Sequence, residues 1–361
     1  MRIGVPKEIK TLEFRVGLTP GAVHSLVEKG HEVFVETGAA AGIGLPDAAY
    51  EAAGAKVLAT ADEVFAAAEM IVKVKEPQAV EIARLQPHHI LFTYLHLAAD
   101  KDQAVGLMKS GATCIAYETV TDKAGRLPLL APMSQVAGRM AVDVGAVALL
   151  KPAGGRGMLL GGVPGVPPAK VVILGGGVSG QNAAEMAVGH RADVTIFDIS
   201  AARLAQLDAQ FDGRVKTAFA TRDAIAAAVH DADMVVGCVL VTGAAAPKLV
   251  TRDDLTKMRK GSVLVDVSID QGGCFETSHA TTHKEPTYEV EGIVHYCVAN
   301  MPGAAPYTST FALGASTIPY VHALADKGVD GAFADDPGLA AGLNVKGGKI
   351  TYAAVAEALG L

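Results

Sequence analysis

The chain has 361 residues, half of them hydrophobic and 19% charged, with 40 glycines and no tryptophan. That much apolar material excludes a disordered chain, and glycines without a G-X-Y period exclude collagen. A count of 31 basic against 38 acidic residues gives a net charge of −7, and an acidic balance without a basic tract argues against nucleic acid or a membrane surface as partner.

The length suggests about two domains, because single cores stop growing near 250–300 residues. From the N-terminus, apolar β-type runs recur at 3–5, 33–36, 70–74, 90–94 and 113–117. Helical patterns lie between them at 20–29, 62–68 and 101–109, and Pro20 suits a first-turn position. Strands alternating with helices predict a parallel sheet covered on both faces. An apolar stretch at 134–150 reads as one helix. The Gly- and Pro-rich segment 151–170 behind it reads as an irregular loop at a domain junction.

A second series begins at Lys170, with strands at 171–174, 193–197, 234–238, 262–267 and 294–298, and helices notably at 178–188 and 221–229. No Asp, Glu, Lys or Arg occurs from 292 to 325. A membrane helix needs about 20 mostly apolar residues, whereas this stretch holds Pro302, Pro306, Pro319 and many small polar residues. It reads as a buried or ligand-facing connector. Helical patterns return at 317–325 and 352–359, in a tail too short for a third domain. The expectation is an α/β protein of two doubly wound parallel-sheet domains with a cleft between them. The first, discontinuous, takes 1–130 plus 307–361, and the second, read as a Rossmann domain from the GGGVSG stretch at 175–180 between strand and helix, takes 131–306. Cys114, Cys238, Cys274 and Cys297 have no CxxC spacing, which predicts reduced buried thiols in a cytoplasmic setting. The first residues carry no apolar signal-peptide core.

The strongest local signal is KVVILGGGVSGQNAAEMA, where Gly175, Gly177 and Gly180 fit G-x-G-x-x-G between a strand and a helix. Gly175 permits a tight turn, Gly177 lets a pyrophosphate approach the backbone, and Gly180 lets helix and strand pack closely. The N–H groups at the helix start, near Val178 and Ser179, favour phosphate. Asp198 ends the next strand, about 20 residues on, where a carboxylate accepts from the adenosine ribose and repels a 2′-phosphate; NAD is favoured over NADP. A Gly-rich turn in a non-binding α/β domain is the plainer reading of the glycines alone.

Polar groups cluster where apolar strands end: Arg15, Lys73 and Lys75, and His96. Taken singly, a strand-end Lys or His is usually a solvated or satisfied residue; several from one sheet point to a ligand crevice. Hydride transfer at a carbonyl or imine needs a cation for the substrate carboxylate, a donor to the oxo group and an acid/base near neutral pKa. Arg15 suits the first, Lys75 the second and His96 the third. Asp270, before Gly272-Gly273, is either a turn-former or a group that bonds substrate or relays protons.

The stretches MRIGVPKEIKTLEFRVGLTP, IVKVKEP, LFTYLHLAA, CIAYETV, LPLLAPMSQVAGRMA, GGVPGVPPAKVVILGGG, VDVSIDQGGCFE and YCVANMPG resemble the L-alanine dehydrogenases, along the whole chain. The sequence is also similar to the NAD domain of nicotinamide nucleotide transhydrogenases and, more distantly, to saccharopine dehydrogenases. The resemblance implies reversible conversion of L-alanine, NAD and water to pyruvate, ammonia and NADH. It implies that Arg15 and Lys75 bind substrate and that His96 and Asp270 are catalytic. Implied cofactor contacts are Ser134, Val178, Ser179, Asp198, Arg203, Val239, Leu240, Val267, Ser268, Ile269, Asp270, Val298, Ala299, Asn300 and Met301. It further implies a cytoplasmic homohexamer. Ala220 and His279 stand where relatives often have Ser and Arg, with modest effects expected on NAD affinity. Glu118, with no second ligand in metal spacing, is expected to be structural, and no metal site is expected. Two alternatives remain: the NAD-binding subunit of a proton-translocating transhydrogenase, and an NAD-sensing protein without turnover.

Overall fold

A computed structural model describes residues 1–239 and 246–360. The chain divides into two compact units, Met1–Met133 with Ala305–Leu361, and Ser134–Ala304. In chain order the strands are β1 Arg2–Val5, β2 Glu32–Glu36, β3 Lys56–Leu58, β4 Met70–Val72, β5 Ile90–Thr93, β6 Thr113–Ala116, β7 Lys170–Leu174, β8 Asp193–Asp198, β9 Val215–Phe219, β10 Met234–Gly237, β11 Val263–Asp266, β12 Thr287–Val290, β13 Ile293–Tyr296, β14 Leu343–Lys346 and β15 Lys349–Ile350.

The first unit holds an eight-stranded sheet in the order β15-β14-β6-β5-β4-β1-β2-β3. From β6 to β3 every pairing is parallel; β14 and β15 add an antiparallel edge. Strand order reverses between β1 and β4, and in open α/β sheets ligands bind beyond the carboxyl ends at such a point. The second unit holds seven strands in the order β12-β13-β11-β10-β7-β8-β9, parallel except for β12. Its reversal lies between β7 and β10.

Why these strands read as unbroken apolar runs is visible in the second core. Val171, Ile173, Met234, Val236, Val263 and Val265 pack into one cluster. Their alternates Val172, Leu174, Val235 and Leu264 pack into another. Both faces of the sheet are covered, so the period-two alternation of a half-exposed strand disappears.

Two expectations need correction. The 151–170 loop lies inside the second unit, not at a junction. It is stapled there: the Gly157 N–H donates to Leu149 O at 2.8 Å and the Arg156 N–H to Gly261 O at 2.9 Å. A Cβ on Gly155 would lie 2.2 Å from Ala148 O, so the loop follows the preceding helix too closely for any side chain. The charge-free 292–325 segment does carry the chain from the second unit back to the first, at 304–305, but it is regular structure rather than loop. It comprises β13, a 3₁₀ turn at Met301–Ala304 and most of the Pro306–Asp335 helix. Pro306 sits at that helix's first turn, where it lacks no bond. The helical pattern continues past 325 to a kink at Gly328 (φ +68°) and beyond.

Candidate active site

In the second unit, β7 is followed at once by Gly175, whose φ is +98° and whose added Cβ would meet Cys238 O at 2.7 Å. The helix Val178–Gly189 starts at once from Gly177, and no side chain caps it. A Cβ on Gly180 would lie 1.8 Å from Gly175 O. The glycines therefore bring strand, turn and helix together and leave the first helical N–H groups for an anion. This is a cradle that fits a dinucleotide pyrophosphate.

Asp198, at the end of β8, accepts the Gly176 N–H at 2.8 Å and the Ser200 N–H at 2.8 Å. Arg203 donates from Nε to Gly176 O at 2.6 Å. Acid and guanidinium thus grip both polar groups of Gly176, a mutual arrangement that sequence spacing did not reveal. The Ala220 N–H donates to Asp198 O at 3.0 Å, so Ala220 neighbours the acid through its backbone.

The other expected cofactor residues follow adjacent strands. Val239 follows β10, Val267, Ser268 and Ile269 follow β11, and Val298, Ala299, Asn300 and Met301 follow β13. Together with Gly175–Gly180 and Asp198 they occupy the carboxyl ends of five neighbouring strands, β13-β11-β10-β7-β8. Ser268 Oγ donates to Val239 O at 2.7 Å, tying two of these ends. Asn300 is left-handed (φ +57°) just before the Met301–Ala304 turn. Ser134 is half-buried in the first turn of the Ala131–Ala148 helix. Leu240 lies outside the described residues. His279 stacks on Tyr288 with ring centroids 3.7 Å apart.

In the first unit, Arg15, Lys75 and His96 follow β1, β4 and β5, three neighbouring strands that include both sides of the order reversal. Arg15 is only 2% exposed. Its Nε and Nη2 bind the two oxygens of Glu13 at 2.6 and 2.5 Å, and Nη1 touches Met133 Sδ at 3.2 Å. Burial works against its charge, but Glu13 outweighs burial and its pKa rises.

Lys75 Nζ lies 3.1 Å from Glu76. Burial pushes the Glu76 carboxyl up, yet Lys75 and then Lys10 outweigh it and bring the pKa to about 2. Lys73, in contrast, is fully buried between Glu8 (3.0 Å) and Glu81 (2.6 Å). Glu8 also accepts the backbone N–H groups of Val74 and Lys75 at 2.7 and 3.3 Å. Lys73 is therefore structural, and Glu8 fixes the backbone that carries Lys75.

His96 has the left-handed backbone of a sharp turn (φ +51°), and its side chain is 47% exposed. The ring stacks on Tyr94, centroids 5.7 Å apart and planes within 5°. Buried Tyr94 donates to Leu129 O at 2.5 Å, and burial pushes its hydroxyl pKa well up. Glu118, after β6, accepts the His96 N–H at 2.6 Å and lies 3.9 Å from His96 Nδ1. It caps the turn that aims the imidazole.

Asp270 stands in the other unit, exposed on the 3₁₀ turn Ile269–Gln271. The structure thus groups Arg15, Lys75 and His96 at one sheet edge and Asp270 with the expected cofactor residues at the other. Sequence reasoning missed Glu8, Glu13, Tyr94 and Asp266. An acid in a polar loop reads as solvated, and only Glu13, two residues from Arg15, offered a local hint. The four cysteines are free and buried. Among the described residues no group of three or more His, Cys, Asp or Glu is placed to hold a metal. Among those residues, too, no helix is long and apolar enough to cross a membrane.

Comparison with known proteins agrees along the whole chain. The profile described as alanine dehydrogenase/PNT, N-terminal domain matches residues 4–137, and that of the C-terminal domain matches 141–353. The alanine dehydrogenase of Halomonas elongata is 61% identical over 361 residues, covering 100% of this chain and 97% of the relative. That of Bacillus subtilis is 55% identical over 362 residues, covering 100% and 95%. A solved structure titled L-alanine dehydrogenase superposes with a TM-score of 0.97 at 53% identity, covering 100% and 99%. A transhydrogenase structure from Sinorhizobium meliloti superposes with a TM-score of 0.85 at 25% identity, covering 97% and 100%. With both domain profiles and full-length relatives in agreement, the chain belongs to the alanine dehydrogenase/PNT family.

Proposed function

We propose that the chain catalyses the reversible NAD-dependent oxidative deamination of L-alanine to pyruvate and ammonia. The observation that carries this reading is the arrangement of a guanidinium, an ammonium and an imidazole on three neighbouring strand ends of the first unit. The names of its full-length relatives support it.

Arg15, whose Nε and Nη2 are held by Glu13, is the fixed cation that attracts the substrate carboxylate from its Nη1 side. Lys75 donates to the oxo group that develops at Cα. When bound, NAD supplies the acceptor for the Cα hydride. His96 takes a proton as water adds to the imine to give the carbinolamine, and returns one to the departing nitrogen. Asp270 bonds the substrate's polar groups or relays protons. NAD contacts run along Ser134, Gly175–Gly180, Asp198, Arg203, Val239, Leu240, Val267–Asp270 and Val298–Met301. The working form is a cytoplasmic homohexamer without nucleic-acid, membrane or metal partners.

Purified protein mixed with NADH, pyruvate and ammonium tests this, with absorbance of the NADH band followed. NADH loss that requires both pyruvate and ammonium is expected. Intact NADH binding without loss would contradict turnover and leave a sensing role. The transhydrogenase reading, favoured only by the 25%-identical structure, requires hydride exchange between nicotinamide nucleotides without pyruvate.

A further inference from the structure

The exposed turn that carries Asp270 is held from beneath by a second carboxylate. Asp266, the last residue of β11, is 0% exposed. Its Oδ1 accepts the Ser268 N–H at 3.0 Å, and its Oδ2 accepts the Cys274 N–H at 2.9 Å and the Ser278 hydroxyl at 2.5 Å. Ser268 and Cys274 bracket the 3₁₀ turn Ile269–Gln271, so one side chain ties both ends of it. A Cβ on Gly273 would lie 2.5 Å from Asp266 Oδ2, so the chain returns against the carboxylate where only glycine fits. Gly273 also has φ +75°, a conformation glycine adopts without penalty.

We propose that Asp266 is a positioning residue for the reaction, whose carboxylate clamps residues 268–274 so that Asp270 is presented in its working geometry. The inference rests on the reading of Asp270 as catalytic. Ser268 Oγ, bonded to Val239 O at 2.7 Å, carries the clamp on to the end of β10. Asparagine at 266 keeps the size but replaces one accepting oxygen with a donor, which faces another donor and releases one end of the turn.

The test is a double-mutant cycle on kcat of the full-length protein: D266N, D270N and both together, with slow variants read at high enzyme concentration. D266N is expected to lower kcat about 10- to 100-fold, the scale of a misplaced catalytic group, and to cause no further loss in the D270N background. An equal loss in both backgrounds means Asp266 acts only on the fold and overturns the proposal. Wild-type kcat in D266N alongside a crippled D270N overturns it as well. Wild-type kcat in D270N instead removes the catalytic reading of Asp270 itself. If D266N does not fold, S278A takes its place, keeping the carboxylate but losing one donor. A several-fold drop in kcat confined to the Asp270 background supports the clamp, and an unchanged kcat overturns it.

Discussion

At the residue scale some charges are committed to the fold and others are left for chemistry. Lys73 and Lys75 are two positions apart, yet one is buried in a triad and the other lies near a strand end beside Glu76. His96 is exposed and aimed by Glu118, so H96A should abolish turnover while NADH affinity measured by fluorescence stays nearly unchanged. Wild-type kinetics in that variant would refute the proton-transfer role. Asp198 presents its carboxylate at the glycine turn, and D198G should weaken NAD and relax selection against NADP in a comparison of the two KM values. Unchanged selectivity would remove the ribose role.

His295 carries a pH prediction. It is fully buried, bonded to Thr277 and Ile293. Burial lowers its pKa to about 4. The unfolded chain, with an ordinary value near 6.5, binds more protons between those limits. The stabilisation is therefore complete above pH about 6.5 and lost as pH falls towards about 4, up to about 3 kcal/mol. Urea midpoints from pH about 7 to about 5 should fall less steeply in H295N than in the wild type.

At the element scale, the Gly175–Gly180 contact is the tightest demand at the site. In G180A the new methyl has no room before Gly175 O, so β7 and its helix must separate. Loss of NADH binding and a thermal midpoint lower by several degrees are expected, the mark of at least ~2 kcal/mol. The Lys73 triad is the second demand. K73M leaves two buried carboxylates unpaired, and breaking such a pair costs about 3–5 kcal/mol; chemical unfolding measures it.

What was legible in the sequence follows from these elements. Central parallel strands are buried on both faces, so β4, β5, β7, β10 and β11 stood out as apolar runs. The strands passed over, β3, β9, β12 and β15, all lie at sheet edges, and β14 lies next to one. They are short or partly exposed, which blurs the pattern. The cations and histidine at strand ends were legible because they interrupt apolar runs. Glu8 was not, and Glu118 was expected to be structural without its bond to the His96 turn, because each bond spans more than 20 residues. Asp266 was hidden for another reason: a lone acid at the end of a buried run does not announce what it bonds.

At the scale of the whole molecule, each unit carries its own hydrophobic core and its own order reversal. In the proposed reaction one supplies the substrate groups and the other the dinucleotide cradle. NADH at ~100 times its Kd should therefore raise stability by about 2.7 kcal/mol, read as a shift in the unfolding midpoint. Light scattering should return six copies of the 37.0 kDa chain; a monomer would refute the proposed assembly.

The most direct test of the central claim follows nitrogen rather than NADH. With pyruvate, NADH and isotopically labelled ammonium, an alanine dehydrogenase yields labelled L-alanine in one-to-one proportion to NADH consumed, and none is expected with the H96A variant. NADH oxidised without label in alanine would mean that pyruvate itself is reduced, and would contradict an amino-acid dehydrogenase.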